Sequence, residues 1–217
     1  MASRIPTWTL AVLLVVPGCA TTGAIRGTLR MPGAAAAAAS DTNGAQSGVP
    51  ARAAERATDA VIYLEEVPPQ LAKRPESGVA AANMDQIDHR FVPRVLPVAV
   101  GTTVRFENRD HIYHNVFSVS PAKRFDIGKY APRQMRQVTF DAPGVVELFC
   151  DIDPAMAGFV FVVPHPAFTR PDASGAFALP KLPRGSYILK VWHPSLGRVS
   201  RRIEMPRKGD LVVTLHF

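Results

Sequence analysis

Cysteine and tryptophan are equally scarce, two of each, and long apolar runs are missing beyond the N-terminal segment. Only two cysteines occur in 217 residues, so a disulfide-stapled scaffold is excluded. After the first 18 residues no apolar stretch reaches the length needed to cross a bilayer as a helix. No segment carries a useful 3.6-residue apolar stripe, which argues against a helical architecture. Basic residues give a formal net charge of +7, enough to attract nucleic acid, anionic lipid or an acidic protein. They are scattered, however, and no aromatic-interleaved Arg/Lys block of the nucleic-acid type is present. What remains is a chain of 47% hydrophobic and 20% charged residues, the composition of a globular protein. At ~150 residues per domain it holds one or two domains.

The N-terminus accounts for one cysteine. Arg4 provides a positive start, residues 8–16 are apolar, and Val16-Pro17-Gly18-Cys19 places small residues before a cysteine. Such a run is too short for a membrane span and reads as a secretory signal over residues 1–18. Its end resembles the bacterial lipobox, which implies cleavage before Cys19, lipid on Cys19, and an exported chain at the periplasm or cell envelope that touches the membrane through that lipid. A plain signal peptide or an uncleaved anchor is the other reading. With Cys19 lipidated, Cys150 has no disulfide partner, and an unpaired thiol in an oxidising space is a liability unless buried or metal-bound.

Residues 24–31 alternate, with Ile25, Leu29 and Met31 against Arg26, Thr28 and Arg30, which is strand periodicity. Residues 32–58 are rich in Ala, Ser and Gly and read as a mobile loop. Residues 60–65 alternate again until Pro68 and Pro69 stop them, and residues 70–82 read as a polar connection. From Met84 to Val163 short β-prone runs are punctuated by proline and glycine. Four more strands follow, near residues 176–179, 186–192, 199–205 and 211–217. The fold class expected is all-β. The economical organisation is one small β-sandwich built from residues 19–68 and 164–217, with a second β-unit at 84–163 inserted between them.

That middle segment carries the chemistry. His114 stands in Asn108-Arg109-Asp110-His111-Ile112-Tyr113-His114-Asn115, and 36 residues later comes Cys150-Asp151-Ile152-Asp153-Pro154-Ala155-Met156. A histidine on one loop, with a cysteine and a methionine six apart on another, suits a mononuclear copper site. Imidazole and thiolate favour copper in a trigonal plane, and a thioether adds a weak axial contact.

At these residues the segment resembles the cupredoxin (plastocyanin-like) family: Phe91-x-Pro93, Val98-x-x-Gly101-x-x-Val104-x-Phe106-x-Asn108, His114-Asn115-Val116, and Gly144-Val145-Val146-Glu147-Leu148-Phe149-Cys150. More closely, the chain resembles exported cupredoxin-containing proteins of the methylamine-utilisation type, with segments like Phe168-Thr169-Arg170-Pro171-Asp172-Ala173-Ser174-Gly175 and Tyr187-x-x-x-x-Trp192-His193-Pro194. The flanks are similar to carboxypeptidase regulatory-like (transthyretin-like) sandwiches. The resemblance implies a cupredoxin-like Greek-key sandwich, copper ligands at His114, Cys150 and Met156, and Asn115 steadying the cysteine sulfur.

One position departs from the pattern. The family has Cys-x-x-His-x-x-Met, and here Asp153 occupies the histidine place. Carboxylate is a harder ligand than imidazole and favours Cu(I) less. Asp153 is thus an altered oxygen ligand, another histidine takes the role, or copper is not bound. His111, His165, His193, His89 and His216 have no supporting pattern and read as surface or structural histidines. The basic residues Lys123, Arg124, Lys129, Arg133 and Arg136 offer a redox partner protein or lipid headgroups a surface, or form a solvated face. The functional expectation is a non-enzymatic copper protein in electron transfer or copper handling, without nucleic acid or small-molecule substrate. The alternative is a degenerate cupredoxin serving as a structural or interaction module of a surface lipoprotein. A thiol hydrolase using Cys150 and His114 lacks any nucleophile-elbow or oxyanion signature.

Overall fold

The computed structural model describes residues 22–32, 56–72 and 81–217. The segment 1–18, Cys19 and nearly all of the Ala-rich stretch at 32–58 lie outside the described residues. Seventeen strands carry the described chain. The first two are β1 (Thr22–Arg30) and β2 (Val61–Leu64). The middle ten are β3 (Ala81–Asn83), β4 (Asp85–Gln86), β5 (Phe91–Val92), β6 (Val95–Ala99), β7 (Thr102–Glu107), β8 (Phe117–Ser120), β9 (Lys123–Asp126), β10 (Met135–Phe140), β11 (Gly144–Phe149) and β12 (Ala157–Val163). The last five are β13 (Phe168–Thr169), β14 (Ala176–Pro183), β15 (Ser186–His193), β16 (Gly197–Glu204) and β17 (Leu211–His216). Short helical turns lie on either side of β2, at Ala57–Asp59 and at Pro69–Ala72.

The fold is all-β. Strands from the two ends of the chain pair with one another in two sheets, ordered β14-β1-β17 and β13-β2-β15-β16. Period-2 alternation explains why: along β17 Val213 and Leu215 turn into the core while Val212 and Thr214 face outward. Ile25 and Leu29 of β1, Ile62 and Leu64 of β2, and Leu189 and Val191 of β15 close the same core. The β13–β14 turn is set by Asp172, whose carboxylate accepts the N–H groups of Ser174 (2.9 Å) and Ala176 (3.0 Å). Gly175 completes it at φ +84°, where a Cβ would lie 2.3 Å from the Leu29 carbonyl oxygen.

The middle strands form a second sandwich from the sheets β10-β7-β3 and β6-β12-β11-β8-β9, with a β4-β5 ribbon beside them. Its core holds Phe106, Val116, Phe140, Leu148 and Val160, and Cys150 and Met156 belong to it. A third, smaller cluster joins the two sandwiches: Val61 and Trp192 from the outer one meet Val95, Phe161 and Val163 from the inner one. Arg94 pairs with Asp59 at 2.9 Å, and Arg170 Nη1 donates to the Val95 carbonyl at 2.7 Å across the same seam. Among the described residues no helix is long and apolar enough to cross a membrane.

His165 sits where the chain leaves the inner sandwich. It is buried; its Nε2 donates to the Leu64 carbonyl at 3.0 Å and its Nδ1 accepts the Ala167 N–H at 3.2 Å. The bond from Ala167 requires an unprotonated Nδ1 and hence the neutral ring, and burial holds the imidazole below its ordinary value. A group depressed in the folded state contributes stability that is complete above the unfolded value of about 6.5 and fades as pH falls below it. Denaturant midpoints should therefore drop as pH is lowered from 7 toward 5, and His165→Gln should flatten that slope. An identical slope in the variant would refute the assignment.

Candidate metal centre

The loop from β7 to β8 places His114. Asn108, at the end of β7, is buried, and its amide donates to the Ile112 carbonyl at 2.8 Å while its Oδ1 accepts the Asp110 N–H at 3.1 Å. The loop is thereby folded back on itself, as expected of a short polar side chain that satisfies neighbouring backbone. His114 is then pinned by a two-way backbone bridge to Tyr130: His114 N–H to Tyr130 O at 3.2 Å, and Tyr130 N–H to His114 O at 2.8 Å. Tyr130 is itself locked, its hydroxyl donating to Gln86 Oε1 at 2.5 Å, while Gln86 Nε2 donates to the Asn115 carbonyl at 3.1 Å. Burial, reinforced by the nearby Cys150, pushes the Tyr130 phenol far up, so it stays a neutral donor.

The His114 ring is fully buried and both its nitrogens are engaged. Nε2 lies 2.9 Å from Asp110 Oδ2, and Nδ1 lies 3.6 Å from Cys150 Sγ. Burial acts to raise Asp110, but the N–H of His89, the His114 ring and the N–H of Asp88 outweigh it and hold the carboxyl below its usual range. An ionised carboxylate only accepts, so Nε2 donates to Asp110 and Nδ1 is the nitrogen turned to the thiol.

Cys150 follows β11 and is 2% exposed. Asn115 ties its loop down from the other side: Oδ1 accepts the N–H of Asp151 at 2.8 Å, the residue next to the cysteine. The asparagine thus acts on the backbone beside the sulfur. Beyond it the chain turns so that the Met156 N–H donates to the Asp153 carbonyl at 3.0 Å, which delivers the buried Met156 side chain to the core that contains Cys150. His114 and Cys150 are brought together, and Met156 lies in the same buried core.

Asp153 points elsewhere than into that core. Its Oδ2 is 2.8 Å from His89 Nδ1, and its Oδ1 accepts the Ala155 N–H at 3.1 Å. The bond from His89, then that from Ala155, holds its carboxyl below the ordinary range. His89 sits in the turn between β4 and β5, and its ring stands edge-on to His114 with centroids 5.7 Å apart. Sequence reasoning gave His89 no role, and its spacing carries no signal. The remaining histidines lie apart: His111 is exposed, His165 is satisfied at the seam, His193 packs edge-on to Phe217, and His216 is exposed on β17.

A metal bound at ~2.0 Å to nitrogen and ~2.3 Å to sulfur, with an angle near 110–115°, holds those two atoms about 3.6 Å apart. The His114–Cys150 separation meets that requirement, and a thiol, an imidazole and a thioether form the donor set copper prefers. Among the described residues no group of three His, Cys, Asp or Glu side chains could hold a metal ion, and the His114–Cys150 pair is the contact present.

No protein-family model and no curated protein matches the sequence. Solved structures similar to part of the chain include a purple cupredoxin from Nitrosopumilus maritimus, at 24% identity and TM-score 0.35, covering 38% of this chain and 99% of that one. A copper-containing nitrite reductase from Thermus scotoductus is 26% identical at TM-score 0.38, over 45% of this chain and 27% of that one. A reduced mutant of amicyanin is 26% identical at TM-score 0.37, over 47% of this chain and 98% of that one. The all-β sandwich architecture is the one that the sequence resemblance implies.

Proposed function

We propose that this chain binds a single copper ion through His114, Cys150 and Met156 and serves electron transfer or copper handling at the cell envelope. The observation that carries the reading is the buried His114 Nδ1 facing the buried Cys150 sulfur at 3.6 Å. Copper so held would exchange one electron between its Cu(II) and Cu(I) states. The chain's own groups prepare the place. Asp110 fixes the His114 tautomer, Asn115 fixes the cysteine loop, and the inner core keeps water from the thiol. The chain acts as a binding protein without a substrate of its own. Export, with lipid on Cys19, brings it to the envelope, and the exposed Arg133 with its basic neighbours offers a face to an acidic redox partner.

One observation favours a second reading. Asp153, at the position of the family histidine, is engaged by His89 at 2.8 Å, as it would be in a purely structural module. Copper titration of the purified chain separates the two. The first reading expects one copper per chain and an intense visible thiolate-to-copper band. Absence of binding would leave the structural module.

A further inference from the structure

We propose that His89 supplies the second imidazole of this centre through its Nε2, with Asp153 serving as the carboxylate that holds its Nδ1. The inference rests on the copper reading above and changes its ligand set to two imidazoles, a thiolate and a thioether.

Geometry is the first support. Two imidazoles sharing one metal through bonds of ~2.0 Å have ring centroids about 5–6 Å apart. The His89 and His114 rings are 5.7 Å apart and nearly perpendicular, at 88°. The second support is protonation. Asp153 Oδ2 stands 2.8 Å from His89 Nδ1, so that nitrogen carries the proton and the lone pair is left on Nε2. A carboxylate behind an imidazole is the usual outer partner of a metal-bound histidine. His114 has the same arrangement through Asp110, with its two nitrogens exchanged.

A third observation ties the two rings into one construction. The Asp110 carboxylate that holds His114 Nε2 also accepts the backbone N–H groups of Asp88 at 2.7 Å and His89 at 3.0 Å. Those two residues are left-handed, at φ 51° and 58°. That conformation is disfavoured for a non-glycine residue, and the Asp110 cap is what retains it. Core packing does not explain where the His89 ring lies, because its side chain is 56% exposed. The placement follows from Asp110 below and Asp153 beside it. On this account the aspartate at the family's histidine position has not emptied that position. It reaches to an imidazole brought in from another loop.

The test is Cu(II) titration of the full chain, read by thiolate-to-copper absorption and by the number of coupled nitrogens in pulsed electron paramagnetic resonance. The unaltered chain should show two imidazole nitrogens. His89→Gly, whose backbone at φ 58° suits glycine, should bind copper with one nitrogen, a displaced band and affinity lowered ~10–100-fold. Added imidazole should return the second nitrogen and the band. His89→Gln, which keeps the bulk of the side chain, should show the same loss. Two nitrogens in both variants, or affinity and band unchanged, would overturn the inference while leaving the copper reading intact. A single nitrogen in the unaltered chain would do the same. Failure of the unaltered chain to bind copper overturns both.

Discussion

Cys150→Ser is expected to lower copper affinity by roughly 1,000-fold, about 4 kcal/mol, and to abolish the thiolate-to-copper band. The change is nearly isosteric. Cys150 is 2% exposed and its sulfur faces only the Nδ1 side of His114 among the described hydrogen bonds, so a serine hydroxyl can donate to that nitrogen in place of the thiol. The fold should therefore survive, with thermal unfolding of the metal-free chain shifted little. What is lost is the soft anionic donor, since a hydroxyl stays protonated near neutral pH and is a poor match for copper. Titration calorimetry with parallel absorption spectra measures both parts. Unchanged loading in the serine variant would remove Cys150 from the site, and with it the reading built on the His114–Cys150 edge.

The second large effect concerns the seam between the sandwiches. Trp192 lies tilted against Phe161 at 5.0 Å between centroids and meets Phe159 edge-on at 5.6 Å. It is 7% exposed, the largest outer-sandwich side chain in that cluster. Trp192→Ala should destabilise the chain by ~3–5 kcal/mol, through lost burial and the cavity left behind. The shape of the transition should change too. The intact seam couples the two cores, so the unaltered chain should unfold in one step. With the tryptophan gone, denaturant curves followed by far-ultraviolet circular dichroism should split into two steps. A single, barely shifted transition would show that the seam does not couple them.

Legibility in the sequence was uneven for physical reasons. The strand at 211–216 announces itself because one face is buried and the other wet, which forces alternation. Strand β9, Lys123–Asp126, does not: it lies at a sheet edge, where Lys-Arg-Phe-Asp satisfies a half-exposed ladder with no apolar periodicity. His114, Cys150 and Met156 are singled out by spacing, because the site loops that position them are short and local. His89 is not, since its turn relies on left-handed non-glycine residues and on a contact with Asp153 that spans 64 positions. Pattern reading sees neighbours along the chain. That pair exists only after two distant loops have met.

The pairing of β1 also sets a timetable. It lies between β14 and β17, and the Ala24 N–H reaches the Asp210 carboxylate across 186 positions of sequence. As the chain emerges from the ribosome, every strand of the inner sandwich can find its partners before β1 has either of its own. Long loops add only slowly to closure entropy, yet such distant contacts form late. Until β14 arrives, β1 is an unsatisfied ribbon with two open edges, and until β17 arrives one edge stays open to mispairing with another chain. The outer sandwich is thus the part of this protein most exposed to an interrupted synthesis, and the metal-site loops the part least dependent on its completion.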